Sequence, residues 1–149
     1  MTTTYTRLLQ FFQQYTKYCD YQFQSVLDRK GITMREVHVL LFLANNPEYD
    51  TARDITVLSG ISKSQVSQAV DLLSADGFLT RTPDAEDRRI VHLSISPEGW
   101  PLAKECQKIQ EFCGEQLVRG MSEDEVTTLR ALFERIIDNG TLLAEEVSF

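Results

Sequence analysis

The sequence predicts a mainly α protein with a small β-wing: a winged helix-turn-helix core flanked by long N- and C-terminal helices. Three observations carry this expectation. Residues 51–96 read in order as helix, tight turn, helix, strand, charged loop, strand. Gly60 and Gly77 sit where helices must end, as glycine does when the chain leaves a helix with positive φ. Apolar residues at helical spacing run through 5–26 and again through 126–147.

Each element has its own local signal. Leu8, Leu9, Phe12, Tyr15, Cys19, Phe23 and Val26 give residues 5–29 an apolar side, and Gly31 breaks that helix. Thr33 and Glu36 have capping-box spacing, with Ile32 and Val37 as a hydrophobic staple. The next run, HVLLFLANN, is almost wholly apolar, which predicts the buried centre, and Asn45-Asn46-Pro47 ends it. Thr51 and Asp54 form a second capping box, and Ile55 and Leu58 give that helix an apolar side. Ser62 and Gln65 repeat the pattern. Val66, Ala69, Val70 and Leu73 then share one face, opposite Ser64, Ser67, Gln68 and Asp71.

Phe78–Thr82 reads as a strand. Ile90–Ile95 reads as another, with Val91, Leu93 and Ile95 on one face and His92 and Ser94 on the other. The polar stretch from Pro83 to Arg89 is too long for a two-residue turn and can project as a wing. Ser96-Pro97 opens the next helix, along which Trp100, Ala103, Cys106, Ile109 and Cys113 line up. Pro101 predicts a kink or a late helix start, and Gly114 and Gly120 weaken the far end. Ser122 and Glu125 cap a last helix striped by Val126, Leu129, Leu132, Phe133, Ile136, Ile137, Leu143 and Val147. One small winged helix cannot cover both terminal stripes, so they read as partner surfaces.

Composition narrows the class. A chain of 149 residues, 42% hydrophobic and 25% charged, predicts one globular domain over 1–149. No apolar run approaches the ~18 residues of a membrane span, and no secretory leader is read at the start, so a cytoplasmic protein is expected. The net charge of −7 is uneven: residues 97–149 hold eleven acidic against five basic side chains, while residues 1–96 are close to balanced. Cys19, Cys106 and Cys113 include no C-x-x-C pair, and with His38 and His92 they show no metal-ligand spacing, so neither a disulfide framework nor zinc is expected. No nucleophile–base pair, Gly-rich phosphate loop or paired carboxylates stand out, so no enzyme activity and no cofactor are expected.

The stretch DAEDRRIVHLSISPEG resembles the wing signature of the MarR-type winged-helix regulators, roughly Asp-x-x-Asp-x-Arg-x-x-x-Leu-x-Leu-Thr-x-x-Gly. Asp84, Asp87, Arg89, Leu93, Ile95, Ser96 and Gly99 fall on its positions, with Ile95 for the second Leu and Ser96 for the Thr. The segment SGISKSQVSQAVDLLSADGFLTR is similar to the family's recognition-helix region. The resemblance implies a homodimeric transcriptional regulator of double-stranded DNA, with 33–96 as the DNA-binding core and 5–30 and 97–147 as dimerisation helices. It further implies a repressor of a short palindrome, a small aromatic effector, and an Asp87–Arg89 pair that shapes the wing tip.

Within that frame Ser62, Lys63, Ser64, Gln65, Ser67 and Gln68 are candidates for base-edge and phosphate contacts, and Arg88 and Arg89 for the minor groove. The competing reading is a plain solvated helix face and a surface ion pair. Tyr15, Tyr18, Tyr21, His38 and Phe42 could line an effector crevice. His38 is otherwise a core or pocket-lining residue. Cys19, close to three tyrosines, admits a thiol redox-sensing regulator as an alternative to a buried structural thiol, with Lys17 the nearest basic residue in sequence. Cys106 and Cys113 read as core or dimer-seam residues. A winged-helix protein–protein module without DNA binding is the remaining alternative, favoured by the acidic total charge.

Overall fold

The structure, a computed structural model, describes residues 3–147; the two residues at each end of the predicted 1–149 domain lie outside it. Its elements are α1 (Thr4–Lys30), α2 (Met34–Asn45), α3 (Ala52–Ser59), α4 (Lys63–Ala75), β1 (Leu79–Pro83), β2 (Val91–Ile95), α5 (Trp100–Leu117) and α6 (Glu123–Val147). The chain divides into two compact units, Met1–Cys113 and Gly114–Phe149.

The first unit is built around α2. Val37, Val39 and Leu40 are fully buried, and Ile55 of α3, Val66 and Leu73 of α4 and Cys106 of α5 complete the same core. Helix boundaries obey the capping chemistry. The Thr33 N–H and hydroxyl both donate to Glu36 Oε2, at 2.9 and 3.0 Å. Thr51 Oγ1 accepts from the Asp54 N–H at 3.1 Å while Asp54 Oδ2 accepts from the Thr51 N–H at 3.0 Å. At Ser62 only half of the expected box forms: its Oγ accepts from the Gln65 N–H at 3.4 Å, and the Gln65 side chain does not return the bond. Instead Gln65 turns toward α2, where it lines a groove with Arg35.

Helix α4 ends in a Schellman motif. The Phe78 N–H reaches Leu73 O at 2.9 Å, the Gly77 N–H reaches Ser74 O at 3.1 Å, and Gly77 takes φ 80°. This is why β1 begins at Leu79 and not at Phe78: the Phe78 N–H is committed to the helix end. The two strands are antiparallel, pairing Leu79 with Ile95, Arg81 with Leu93 and Pro83 with Val91. Leu79 and Leu93 are buried, but Val91 is exposed, because it stands at the wing's outer end beyond the core. Ile90 is not in β2; its N–H and C=O close the tip through Asp87 and Asp84. A third backbone bond, Leu93 N–H to Asp50 O at 2.7 Å, ties the α2–α3 loop to β2.

Ser96 joins the wing to α5. Its N–H donates to Phe78 O at 3.0 Å, its hydroxyl donates to Gly77 O at 2.5 Å and accepts from the Gly99 N–H at 3.0 Å. A turn over 97–99 then precedes α5, so the helix starts late and Pro101 falls at its second residue, where no N–H is needed. In α3 only Ile55 is buried, while Leu58 is exposed because that short helix packs through a single turn. In α1 the stripe is buried only at Phe23 and Val26; Leu8, Leu9 and Phe12 are about half exposed.

The second unit contains α6. The Ser122 N–H donates to Glu125 Oε2 at 2.7 Å and Ser122 Oγ accepts from the Glu125 N–H at 3.2 Å, so the expected cap is present. No residue of α6 is buried, and Leu132, Phe133, Ile136, Ile137 and Leu143 all stay exposed along it. Among the described residues no helix is long and apolar enough to cross a membrane.

Candidate nucleic-acid interface

Helix α4 packs through the face of Val66, Ala69, Val70 and Leu73 and leaves the other open. Ser62, Lys63, Ser64, Gln65, Ser67 and Gln68 are all exposed there. Ser62 is the N-cap, and its hydroxyl also meets Ser64 Oγ at 3.3 Å. In the first turn the Gln65 N–H is held by Ser62 Oγ, which leaves the Lys63 and Ser64 N–H groups at the exposed helix start, a favourable setting for a phosphate. Asp71, further along the same face, forms an ion pair with Arg81 of β1, which ties the base of the wing to this helix.

The wing tip is pre-formed. Asp87 Oδ1 accepts from the Arg89 N–H and Nε, each at 3.0 Å, and Oδ2 accepts from Nη2 at 2.9 Å. These bonds hold the Asp87 carboxyl below the usual carboxylate range, with the guanidinium bonds the larger cause and the backbone bond next. The Arg89 side chain is nonetheless 90% exposed, so its charge is offered to solvent in a fixed orientation. Arg88 is exposed beside it.

Two features have no signal in the local sequence. His92 Nδ1 lies 2.8 Å from Asp50 Oδ1, and its Nε2 lies 3.7 Å from Asp84 Oδ2. The imidazole therefore links the α2–α3 loop, β2 and the start of the wing loop, and the bond to Asp50 is the main cause of its raised pKa. Alternation places His92 on the outer face, but nothing local announces a partner 42 residues away. The second is Arg35, which shares a groove of about 180 Å³ with Gln65 and Gln68. It brings a cation from α2 to the polar face of α4.

A separate cavity of about 240 Å³ lies among α1, α2 and α5. Tyr15 and His38 line it, together with Cys19, Asp20, Gln110 and Cys113. Burial lowers the pKa of His38, with Arg35 adding to the effect. Tyr18, Tyr21 and Phe42 do not line it. Tyr21 is 76% exposed, because two residues beyond Cys19 the helix has turned it to the far side. Phe42 packs against the core. Tyr18 lies beside Tyr15, outside the lining. Among the described residues no cluster of three His, Cys, Asp or Glu could hold a metal ion.

A buried helix pair, a polar-faced second helix and a two-stranded hairpin with an arginine at its tip define a winged helix-turn-helix protein. Comparison with known proteins agrees. The MarR family model matches residues 30–90, which run from the end of α1 to the wing tip. The HTH-type transcriptional regulator YwaE of Bacillus subtilis is 32% identical over 87 residues, covering 58% of this chain and 51% of YwaE. The homoprotocatechuate degradative operon repressor of Escherichia coli is 22% identical over 125 residues, 84% of each chain. The chain spans about half the length of YwaE and 61% of the multiple antibiotic resistance protein MarR of Salmonella typhimurium. Among solved structures, the transcriptional regulator SlyA superposes with a TM-score of 0.76 at 18% identity, over 95% of this chain and 99% of that one. A crystal structure of MarR gives 0.75 at 20% identity, over 93% and 94%. The winged-helix core of the chain is thus similar to the MarR family over residues 30–90.

Proposed function

We propose that this chain is a transcriptional regulator that binds double-stranded DNA as a homodimer and represses from a short palindromic operator. The observation that carries the reading is the pairing of a wholly exposed polar face on α4 with a wing whose Arg89 is already pinned by Asp87. Gln65 and Gln68 would read base edges in the major groove, and Ser64 and Ser67 would accept or donate there. Ser62, Lys63 and the N–H groups of Lys63 and Ser64 would hold a phosphate, and Arg35 sits beside Gln65 and Gln68. Arg89, and Arg88 next to it, would enter the minor groove. The Asp87 pair costs Arg89 little reach and removes much of its freedom, so less order is lost on binding.

The name of one relative, the repressor of a homoprotocatechuate degradative operon, supports repression and an aromatic effector. The cavity at Tyr15 and His38 is the place for such a molecule. Asp20 lines it and no lysine or arginine does, so a neutral aromatic or phenol suits it better than a carboxylate. An effector that binds there with different affinity in the free and DNA-bound states would shift operator occupancy.

Selection of bound duplexes from a random pool at ~50 mM salt tests the reading. The expected product is a palindrome with half-sites about 10 bp apart, for which Arg89→Ala binds about tenfold more weakly. Enrichment of no sequence by a folded protein would overturn it and leave a protein–protein module.

A further inference from the structure

We propose that a second cavity, where β2 meets the α2–α3 loop and the start of α5, is a binding site for a small organic cation: a single aromatic ring that carries an ammonium group. The cavity holds about 230 Å³ and lies wholly within the first unit. It shares no lining residue with the cavity at Tyr15 and His38. Leu43 and Leu93 line it and are buried, so its base is apolar. Tyr49 and Trp100 line it too, but they are 41% and 40% exposed, so they stand at its mouth. Among the described residues that line it, only Asp50 is charged.

Backbone hydrogen bonds form this cavity before any ligand arrives. Pro47 cannot continue α2, and the Tyr49 N–H turns back to Asn46 O at 3.0 Å across Pro47 and Glu48. The backbone N–H and the side-chain amide of Asn46 both donate to Phe42 O, at 3.0 and 2.8 Å, which fixes the helix end. The Leu93 N–H reaches Asp50 O at 2.7 Å and pins the loop to β2. The Trp100 N–H reaches Ser96 O at 3.1 Å and sets the first residue of α5. Each wall is therefore held by the fold, and a ligand has little to order when it enters.

The chemistry of the lining selects the ligand. An ammonium group is attracted by the faces of tyrosine and tryptophan rings, and a carboxylate at the same site adds a direct charge partner. Asp50 Oδ1 lies 2.8 Å from His92 Nδ1, yet 42% of the Asp50 side chain stays exposed, so the carboxylate remains open to a second partner. The imidazole shares this carboxylate without lining the cavity. Glu48, between Pro47 and Tyr49 in the loop, adds to the negative field. An anion is repelled by these groups, and a neutral ring gains apolar contact alone. The volume sets the size: about 230 Å³ is below the roughly 300–1,000 Å³ of sites for drug-sized molecules, which suits one ring with a short cationic arm.

Trp100 is the only tryptophan of the chain, so its emission reports on this site. The test titrates the full chain with benzyltrimethylammonium, and in parallel with benzyl alcohol and with benzoate, by tryptophan fluorescence and by calorimetry. Saturable binding of the cation is expected, with the neutral and anionic rings at least about tenfold weaker. Asp50→Asn should weaken the cation by about tenfold, and Tyr49→Ala, at an exposed position, by about threefold or more. His92→Gln removes the imidazole and leaves the carboxylate, so it should retain binding; this separates the charge of Asp50 from its hydrogen bond to the wing. Asp20→Asn, in the other cavity, should also retain it. Equal affinity for benzyl alcohol, full binding by Asp50→Asn, loss of binding in Asp20→Asn, or no saturable signal by either method would each overturn the proposal. No DNA is present, so the outcome is separate from that of the regulator reading.

Discussion

At the scale of single residues, the wing signature resolves into separate physical tasks. Asp87 and Arg89 shape the tip through three hydrogen bonds. Leu93 anchors the hairpin in the core, and Ser96 spans the end of α4 and the turn before α5. Gly99 is required for a steric reason: a Cβ there would lie 2.2 Å from Phe78 O, a backbone atom that already accepts from Ser96. Gly99→Ala is therefore expected to destabilise the winged core by about 1–3 kcal/mol, since the β1 entrance and the α5 start must separate to admit the methyl. Gly114→Ala is the control. A Cβ there meets nothing within 4 Å and the residue is helical, so the change should stabilise by up to about 1 kcal/mol. Urea unfolding of both variants decides it, and equal midpoints would remove the close-approach account of Gly99.

At the scale of elements, the helices were legible because capping pairs, periodicity and glycine stops are all local. Thr33, Thr51 and Ser122 cap where their sequence places them, and the buried face of α4 is the one its spacing gives. What the sequence hid depends on distance along the chain. The groove shared by Arg35 with Gln65 and Gln68, the cavity that unites Cys19 and Cys113, and the clasp at His92 each join residues that only the fold brings together. The clasp carries a pH prediction for the wing. The raised pKa of His92 means that its protonated form is favoured by folding, through Asp50 first and Asp84 second. The added stability is then fully present below the unfolded value of about 6.5 and is lost as pH rises through the higher folded value. In thermal unfolding, His92→Gln should lower Tm more at about pH 5.5 than at about pH 8.5. NMR titration of the His92 ring should give a midpoint above that of the chain unfolded in urea. A midpoint at or below the unfolded one would show that the clasp does not hold the charged form.

At the scale of the whole molecule, charge and apolar surface have to be accounted for together. The acidic excess is concentrated in residues 97–149, so the core that carries α4 and the wing is close to neutral, and on the proposed reading DNA contacts would come from a few placed cations. A single such interface with Lys63, Arg88 and Arg89 gives limited affinity, and two linked interfaces raise it by making the second contact intramolecular. The DNA reading therefore calls for a homodimer, as the apolar faces do. Leu8, Leu9 and Phe12 of α1 are each about half exposed, and α6 buries none of its own stripe. Contiguous surfaces of that kind are rarely left in water. Replacing the exposed Phe133 and Ile136 together by Asp puts two charges on the α6 stripe. Sedimentation equilibrium is expected to show a dimer for the parent chain and a monomer for the double variant. Operator affinity should fall by roughly 100-fold or more, because the second half-site loses its effective concentration. Cooperative unfolding of the core and the His92 ring titration should persist, which separates lost association from lost folding. A double variant that remains dimeric and binds the palindrome with parent affinity would show that α6 is not the dimer surface, and a monomeric parent chain would remove the palindrome from the proposed mechanism.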